Sequence, residues 1–397
     1  MFHPSVITSR NCLWRVIVWA AACSTATWAA PYLPKSDSEV LERVPARSDL
    51  DRLSPLRRRV ADNPQDLPAA LDLAKGYLQI GRANADPRFT GYAEATLLPW
   101  MNTRPIPEPV LVLQATALQN QHQFGPAMAL LDTALLNSPL DPQIWLTRAA
   151  IYALRNDAPA ARRACARLTR TADSLVALTC LTGINSRNGQ LSASYAALRQ
   201  VYHDDVRLPV ELRVWILTQL ADMAERAGDD PAAEHYFRQA LMAAPEDGFT
   251  LAAYADLLNR VGRNAEVPYL LRGREAQDNL LLRLSIAGHR LGSSEGAHWS
   301  ELYAARVAAA QREGDTVHLR EQALFELEVR GNRVEGLRLA QQNWQTQREP
   351  ADVRIFVHAA LTGHGGADAA SESARHALRE WLASTHYEDA TLHGMLL

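Results

Sequence analysis

The feature that most limits how this chain can fold is a recurring distance between its turn glycines and its small residues. Gly228 and Gly262 stand 34 residues apart. After Gly228 come Ala233, Phe237, Ala240 and Pro245, and upstream Ala127, Leu131, Ala134 and Pro139 repeat that spacing. A period of this length holds two helices and their turns, and one such unit cannot bury its apolar stripe alone. A chain of 397 residues, 47% of them apolar, would by length alone be expected to form two or three domains. The repeats predict one continuous array instead.

Unit starts fall at residues 67, 108, 142, 175, 214, 248, 278, 317 and 351. In the unit from 214, Leu217, Leu220 and Ala221 precede Gly228, Ala233, Phe237, Ala240 and Pro245. The unit from 142 carries Trp145, Ala149, Tyr152, Asn156 and Ala161, and the unit from 67 carries Leu73, Ala74, Tyr77 and Gly81. Small side chains at matching places let two helices approach closely, and large ones fill the spaces beside them. Gly or Asn accepts the left-handed conformation that ends a helix, and Pro starts the next. Longer intervals are expected to lengthen turns, one between Gly81 and Tyr92 and another from Tyr202 to Pro209. The weakest unit is 278–316, where Gly292 and Ala297 are the good markers.

This pattern resembles the tetratricopeptide repeat, a helix–turn–helix unit of 34 residues. Departures exist: Ala224 stands where the family has Tyr, and Cys165 and Leu168 stand where an aromatic and Ala are usual. The resemblance covers residues 67–350 and extends loosely to 382. It implies an all-α, right-handed α-solenoid whose first helices line a groove for a peptide or protein. The expected organisation is a signal peptide at 1–29, an N-terminal extension and capping helix at 30–66, the array at 67–350, and a degenerate terminal helix pair with tail at 351–397. Ser48 to Ala61 reads as the capping helix, with Leu50, Leu53, Leu56 and Val60 on one face.

Residues 1–29 read as an address. Arg10 and Arg15 are the only charges there; the apolar run Leu13–Ala22 is short, and Thr27 and Ala29 suit a cleavage site after Ala29. A membrane anchor would need about twenty apolar residues without an internal Arg. A lipid-carrying Cys23 would want Leu where Ala20 stands. Cleaved export to the periplasm or envelope of a bacterium is the expectation, with membrane contact only through an uncleaved or lipidated N-terminus. Cleavage would take the net charge from −3 to −5 by removing Arg10 and Arg15. Cys12 and Cys23 lie in the address, which leaves Cys165 and Cys180. A disulfide between them would suit an oxidising compartment; two small buried thiols are the slightly favoured alternative.

No chemistry-bearing motif stands out. The sequence lacks G-x-S-x-G, H-E-x-x-H and a phosphate loop, and Gly363–Gly366 lacks the Lys and Ser/Thr of one. Eight of the twelve histidines come late, and His358 and His364 near a glycine-rich turn raise a metal-handling alternative. Their spacing fits no ligand set, so no metal and no cofactor are expected. Lys35 and Lys75 are the only lysines, and with 41 cations against 44 anions no basic field for nucleic acid is available. Tetratricopeptide domains that clamp a terminal carboxylate use Lys and Asn on the first helix. Here those places hold Leu146 and Ala150, Thr218 and Asp222, and Ala252 and Asp256, so that clamp is absent. By the same register, Gln119, Asn120, Arg187, Asp222, Glu225, Arg226, Asp256, Asn259 and Arg260 are the polar candidates for the groove. The expected function is a non-catalytic interaction scaffold.

Overall fold

The computed structural model describes residues 48–84, 86–203, 206–312, 317–361 and 369–392. The signal-peptide segment, Cys12, Cys23, His364 and the glycine-rich turn lie outside these residues. Among the described residues there are nineteen α-helices and no strand. They are α1 (Ser48–Asp62), α2 (Leu67–Asn84), α3 (Arg88–Met101), α4 (Glu108–Asn120), α5 (Phe124–Asn137), α6 (Pro142–Leu154) and α7 (Ala158–Leu168). Then follow α8 (Ser174–Ser186), α9 (Leu191–Val201), α10 (Val210–Arg226), α11 (Asp230–Ala243), α12 (Gly248–Arg260) and the short α13 (Val267–Leu270). The chain ends in α14 (Asp278–Leu291), α15 (Ser294–Arg312), α16 (Leu319–Glu328), α17 (Arg333–Thr346), α18 (Pro350–Leu361) and α19 (Ala369–Thr385).

From α2 onward the helices pair as hairpins, α2 with α3 through α18 with α19, and neighbouring hairpins stack through their first helices, through the second helix of one on the first of the next, or both. The fold is an all-α helical-repeat solenoid. Local chemistry fixes the joints. Asp141 accepts the Gln143 N–H at 2.6 Å ahead of Pro142, and Asp157, Asp173, Asp229 and Asp247 cap their helices in the same way. Gly228 and Gly262 end α10 and α12 at φ of 82° and 79°, and Asn156 ends α6 at 61°. In each hairpin small buried residues meet, such as Ala221 with Ala233 beside Phe237.

Several joints differ from the sequence expectation. The stretch after Gly81 extends α2 to Asn84 and leaves only a short link to α3, so it adds length to the helix more than to the turn. In the sixth hairpin the second helix shrinks to α13 and a 3₁₀ turn, which explains the short interval between the units at 248 and 278. In the unit at 278, Gly292 ends α14 at φ 63° as expected, but Ala297 is exposed and the close contact is made by a pair of glycines. A Cβ on Gly288 would fall 2.2 Å from the Gly296 Cα, so α14 and α15 touch backbone to backbone.

Cys165 on α7 and Cys180 on α8 form a disulfide with Cα atoms 5.6 Å apart. The slightly favoured reading of two unbonded thiols therefore gives way: both side chains are buried as expected, and the packing of α7 on α8 brings them into bonding distance. Closing a loop of 15 residues is worth about 3 kcal/mol in the chain-entropy account. A Cys165→Ala/Cys180→Ala protein should lose about that much in urea unfolding. The same loss should appear in the wild type on adding reductant.

The superhelix does not stay open. α2 lies against α12, where a Cβ on Gly248 would meet the Ala83 carbonyl oxygen at 2.2 Å and Gln277 donates to Asn84 Oδ1 at 3.3 Å. At the other end, the 3₁₀ turn Ala390–Leu392 packs on α10, and the Leu191 N–H donates to Glu388 Oε2 at 3.0 Å. The first hairpin thus meets the sixth, and the end of the ninth returns to the fourth and fifth.

Candidate functional site

The first helices line the interior, and closure decides what their polar side chains do there. Arg226 is 1% exposed. Its Nε and Nη2 donate to Asp222 Oδ2 at 3.0 and 2.9 Å, Nη1 to the Ser186 carbonyl at 2.7 Å, and Nη2 to Ser186 Oγ at 2.8 Å. The C-terminal segment completes the cage: the Glu388 carbonyl accepts from Nη1 at 3.5 Å, and the Tyr387 ring lies 5.6 Å from the guanidinium. Glu225, 6% exposed, stands between two arginines, Arg260 Nε at 3.0 Å and Arg354 Nη1 at 2.9 Å. Arg354 in turn holds Asp389 at 3.1 Å, which also accepts from the Tyr387 hydroxyl. Arg260 also pairs with Asp230.

The remaining sequence candidates divide. Asp256 takes a two-pronged bond from Arg283, at 2.9 and 2.7 Å, and Asn259 donates to the Arg283 carbonyl at 3.4 Å. Gln119 and Arg187 border an inner cleft, whereas Asn120 is exposed at the end of α4. Asp222, Glu225, Arg226 and Arg260 therefore spend their bonding capacity on this chain, two of them on its own last hairpin or tail. Local register placed these side chains on the inner helices but gave no sign of Arg354, Tyr387 and Asp389. Those three belong to the terminal stretch, 351–397, which the repeat resemblance covers loosely to 382 and not beyond.

A second charged cluster fills the interior between α14, α16 and α18. Arg320 reaches Glu321 at 3.0 Å, Glu349 at 3.3 Å and Asp352 at 3.6 Å. Burial pushes the Asp352 carboxyl up to about 6, against the pull of Arg320. Burial would also raise Glu321, but Arg320 and Arg283 hold it at about 2. Glu328 is held at about 2 against its own burial, by hydrogen bonds from His358 and Arg290. Glu234, bonded by Arg263 and Tyr254, is likewise at about 2.

These shifts carry a sign. Glu234, Glu321 and Glu328 are depressed from 4.5, so their contribution is complete above that value and is lost as pH falls toward 2. Asp352 is raised from 3.8, so it opposes: stability grows as pH drops through 6 and the carboxyl is neutralised. Burial lowers His122, which works the other way below pH 6.5, so the Asp352 effect is read as a difference. From pH 7.5 to 5 the urea midpoint of the wild type should rise relative to that of Asp352→Asn, and both should fall steeply from pH 4.5 to 2.5.

Among the described residues no three His, Cys, Asp or Glu side chains gather to hold a metal ion. His358 bonds Glu328 at 3.1 Å. No helix of the described residues is long and apolar enough to cross a membrane. What stays open inside is a cleft of about 220 Å³. Leu146, Ala150 and Ala153 of α6, Ile184 of α8 and Trp215 of α10 give it an apolar lining. Gln119, Arg187, Gln219 and Glu349 supply polar groups. The cleft therefore runs across four successive first helices and is bordered on one side by the link before α18.

No family model matches the chain, and no curated protein matches it. Among solved structures it is similar to the TPR domain of P58(IPK), with 12% identity over 84% of this chain and 94% of that chain, at a TM-score of 0.21. The fold assignment accordingly rests on the order and packing of this chain's own helices.

Proposed function

We propose that the protein is a non-catalytic scaffold that holds a peptide or protein segment against the inside of its solenoid, and that it works outside the cytosol, in a bacterial envelope. The observation that carries the first half is the cleft across α4, α6, α8 and α10. It has an apolar floor with a few hydrogen-bonding groups, the make-up of sites that seat a chain segment by shape and pocket contacts. The same inner face holds carboxylates and arginines paired with one another, such as Asp222 with Arg226 and Asp256 with Arg283. The second half draws on the Arg10–Ala29 address pattern and on the Cys165–Cys180 bond, since disulfides persist where thiols are not kept reduced.

Site-specific photocrosslinking in the native envelope tests the groove. A photoreactive residue at Leu146 or Trp215 should trap the same single species, and one at the exposed Arg163 of α7 should not. Equal trapping at all three, or at Arg163 alone, would refute the groove. Intact-mass measurement tests export separately: the expected mature chain begins at Ala30 and is two hydrogens lighter than its reduced form.

A further inference from the structure

The interior arginines follow one rule. Arg226, Arg260, Arg283, Arg320 and Arg354 each hold a carboxylate. Arg187 and Arg348 do not, and both line one small pocket between α6, α8 and the last two hairpins. Arg187 Nε is buried with no acceptor. Asp222, bonded to Arg226, is also held down by the charge of Arg187. Arg348 donates one bond, from Nε to the Trp344 carbonyl at 3.2 Å, and stacks 4.9 Å from the Trp344 ring. Burial pushes its pKa below the ordinary arginine value.

Trp381 lines the same pocket, is 6% exposed, and its buried indole N–H has no acceptor. Asn156, Asn188 and Tyr387 complete the polar lining, which contains no acidic side chain. Both arginines are half-buried, and the buried Arg187 Nε and Trp381 indole N–H are donors that an acceptor of negative charge in this pocket would satisfy. The space, about 20 Å³, holds one water-sized group. That excludes phosphate esters and nucleotides.

We propose that this pocket binds one small monovalent anion, a halide, between Arg187, Arg348 and Trp381. The anion links the α8 end to the α17–α19 region, and so ties the last hairpins to the middle of the solenoid.

The test uses the full folded chain at constant ionic strength, with sodium isethionate, whose sulfonate is too large for the pocket, as the background salt. Replacing it by chloride or bromide up to 100 mM should raise the melting temperature saturably, by about 3–5 °C. Arg187→Gln and Arg348→Gln should each abolish the rise, and bromide-soaked crystals should show an anomalous peak between the two arginines. A rise with acetate but not with halide overturns the proposal, because a carboxylate group exceeds a water-sized space. Identical melting in every salt together with an empty bromide map overturns the proposal, as does a response that survives in both variants. If a variant does not fold, the wild-type titration and the bromide map decide alone.

Discussion

Gly288→Ala should be among the most destabilising single added methyl groups in this protein. The new Cβ would lie 2.2 Å from the Gly296 Cα and 3.0 Å from its nitrogen, and backbone atoms cannot turn aside as a side chain could. Overpacking of a close core typically costs about 1–3 kcal/mol, and a rigid backbone contact belongs at or above the top of that range. At roughly 1.5 °C per kcal/mol for a chain of this length, Gly288→Ala should lower the melting temperature by about 4–6 °C. Hydrogen exchange should show the loss first in α14 and α15. Gly125→Ala is the matched control. Nothing lies within 4 Å of its Cβ position, so it should be neutral or stabilise by about 0.4–1 kcal/mol. Equal melting of the two variants would mean that α14 and α15 are not in backbone contact.

Arg226→Met should be comparably damaging for a different reason. It removes the positive partner of Asp222 and leaves the Ser186 groups and the Glu388 carbonyl without their donor, while filling much the same space. Breaking a buried ion pair by removing one member costs about 3–5 kcal/mol, because the other charge stays behind. Adding Asp222→Leu should therefore recover part of the loss. If the double variant is no better than the single, the penalty lies in packing and not in an orphaned charge. Protection of the amides in 386–392 should fall with the single variant, since Arg226 is one of the contacts that hold that stretch.

The hairpins could be read from the sequence because each depends on residues close together in the chain. Starts at 67, 108, 142, 248 and 278 coincide with the first residues of α2, α4, α6, α12 and α14. The start at 214 was set by Leu217, Leu220 and Ala221, which do pack as expected, but Pro209 begins the helix about a turn earlier, at Val210. The unit from 278 looked weak because its close contact uses Gly288 and Gly296, offset from the usual small positions. The inner polar residues were legible one at a time, from register. Their partners were not: Glu225 meets Arg354 and Arg226 meets Tyr387 only after the solenoid has curled round, and no local periodicity encodes that meeting. The bonding of Cys165 to Cys180 was undecidable for a related reason. Spacing permits it, and only the approach of α7 to α8 brings the sulfurs together.

The two long-range seams, α2 on α12 and the chain's end on α8 to α10, fix the number of hairpins. A linear stack can gain or lose a unit by duplication or deletion, with each neighbour simply shifted along. Here an extra hairpin between the first and the sixth would pull Ala83 away from Gly248, and one between the fifth and the ninth would displace Glu388 from Leu191. Such a molecule is less a spring than a clasped bracelet: its count of links is set by its own circumference, and it should come undone in one event rather than fray from its ends.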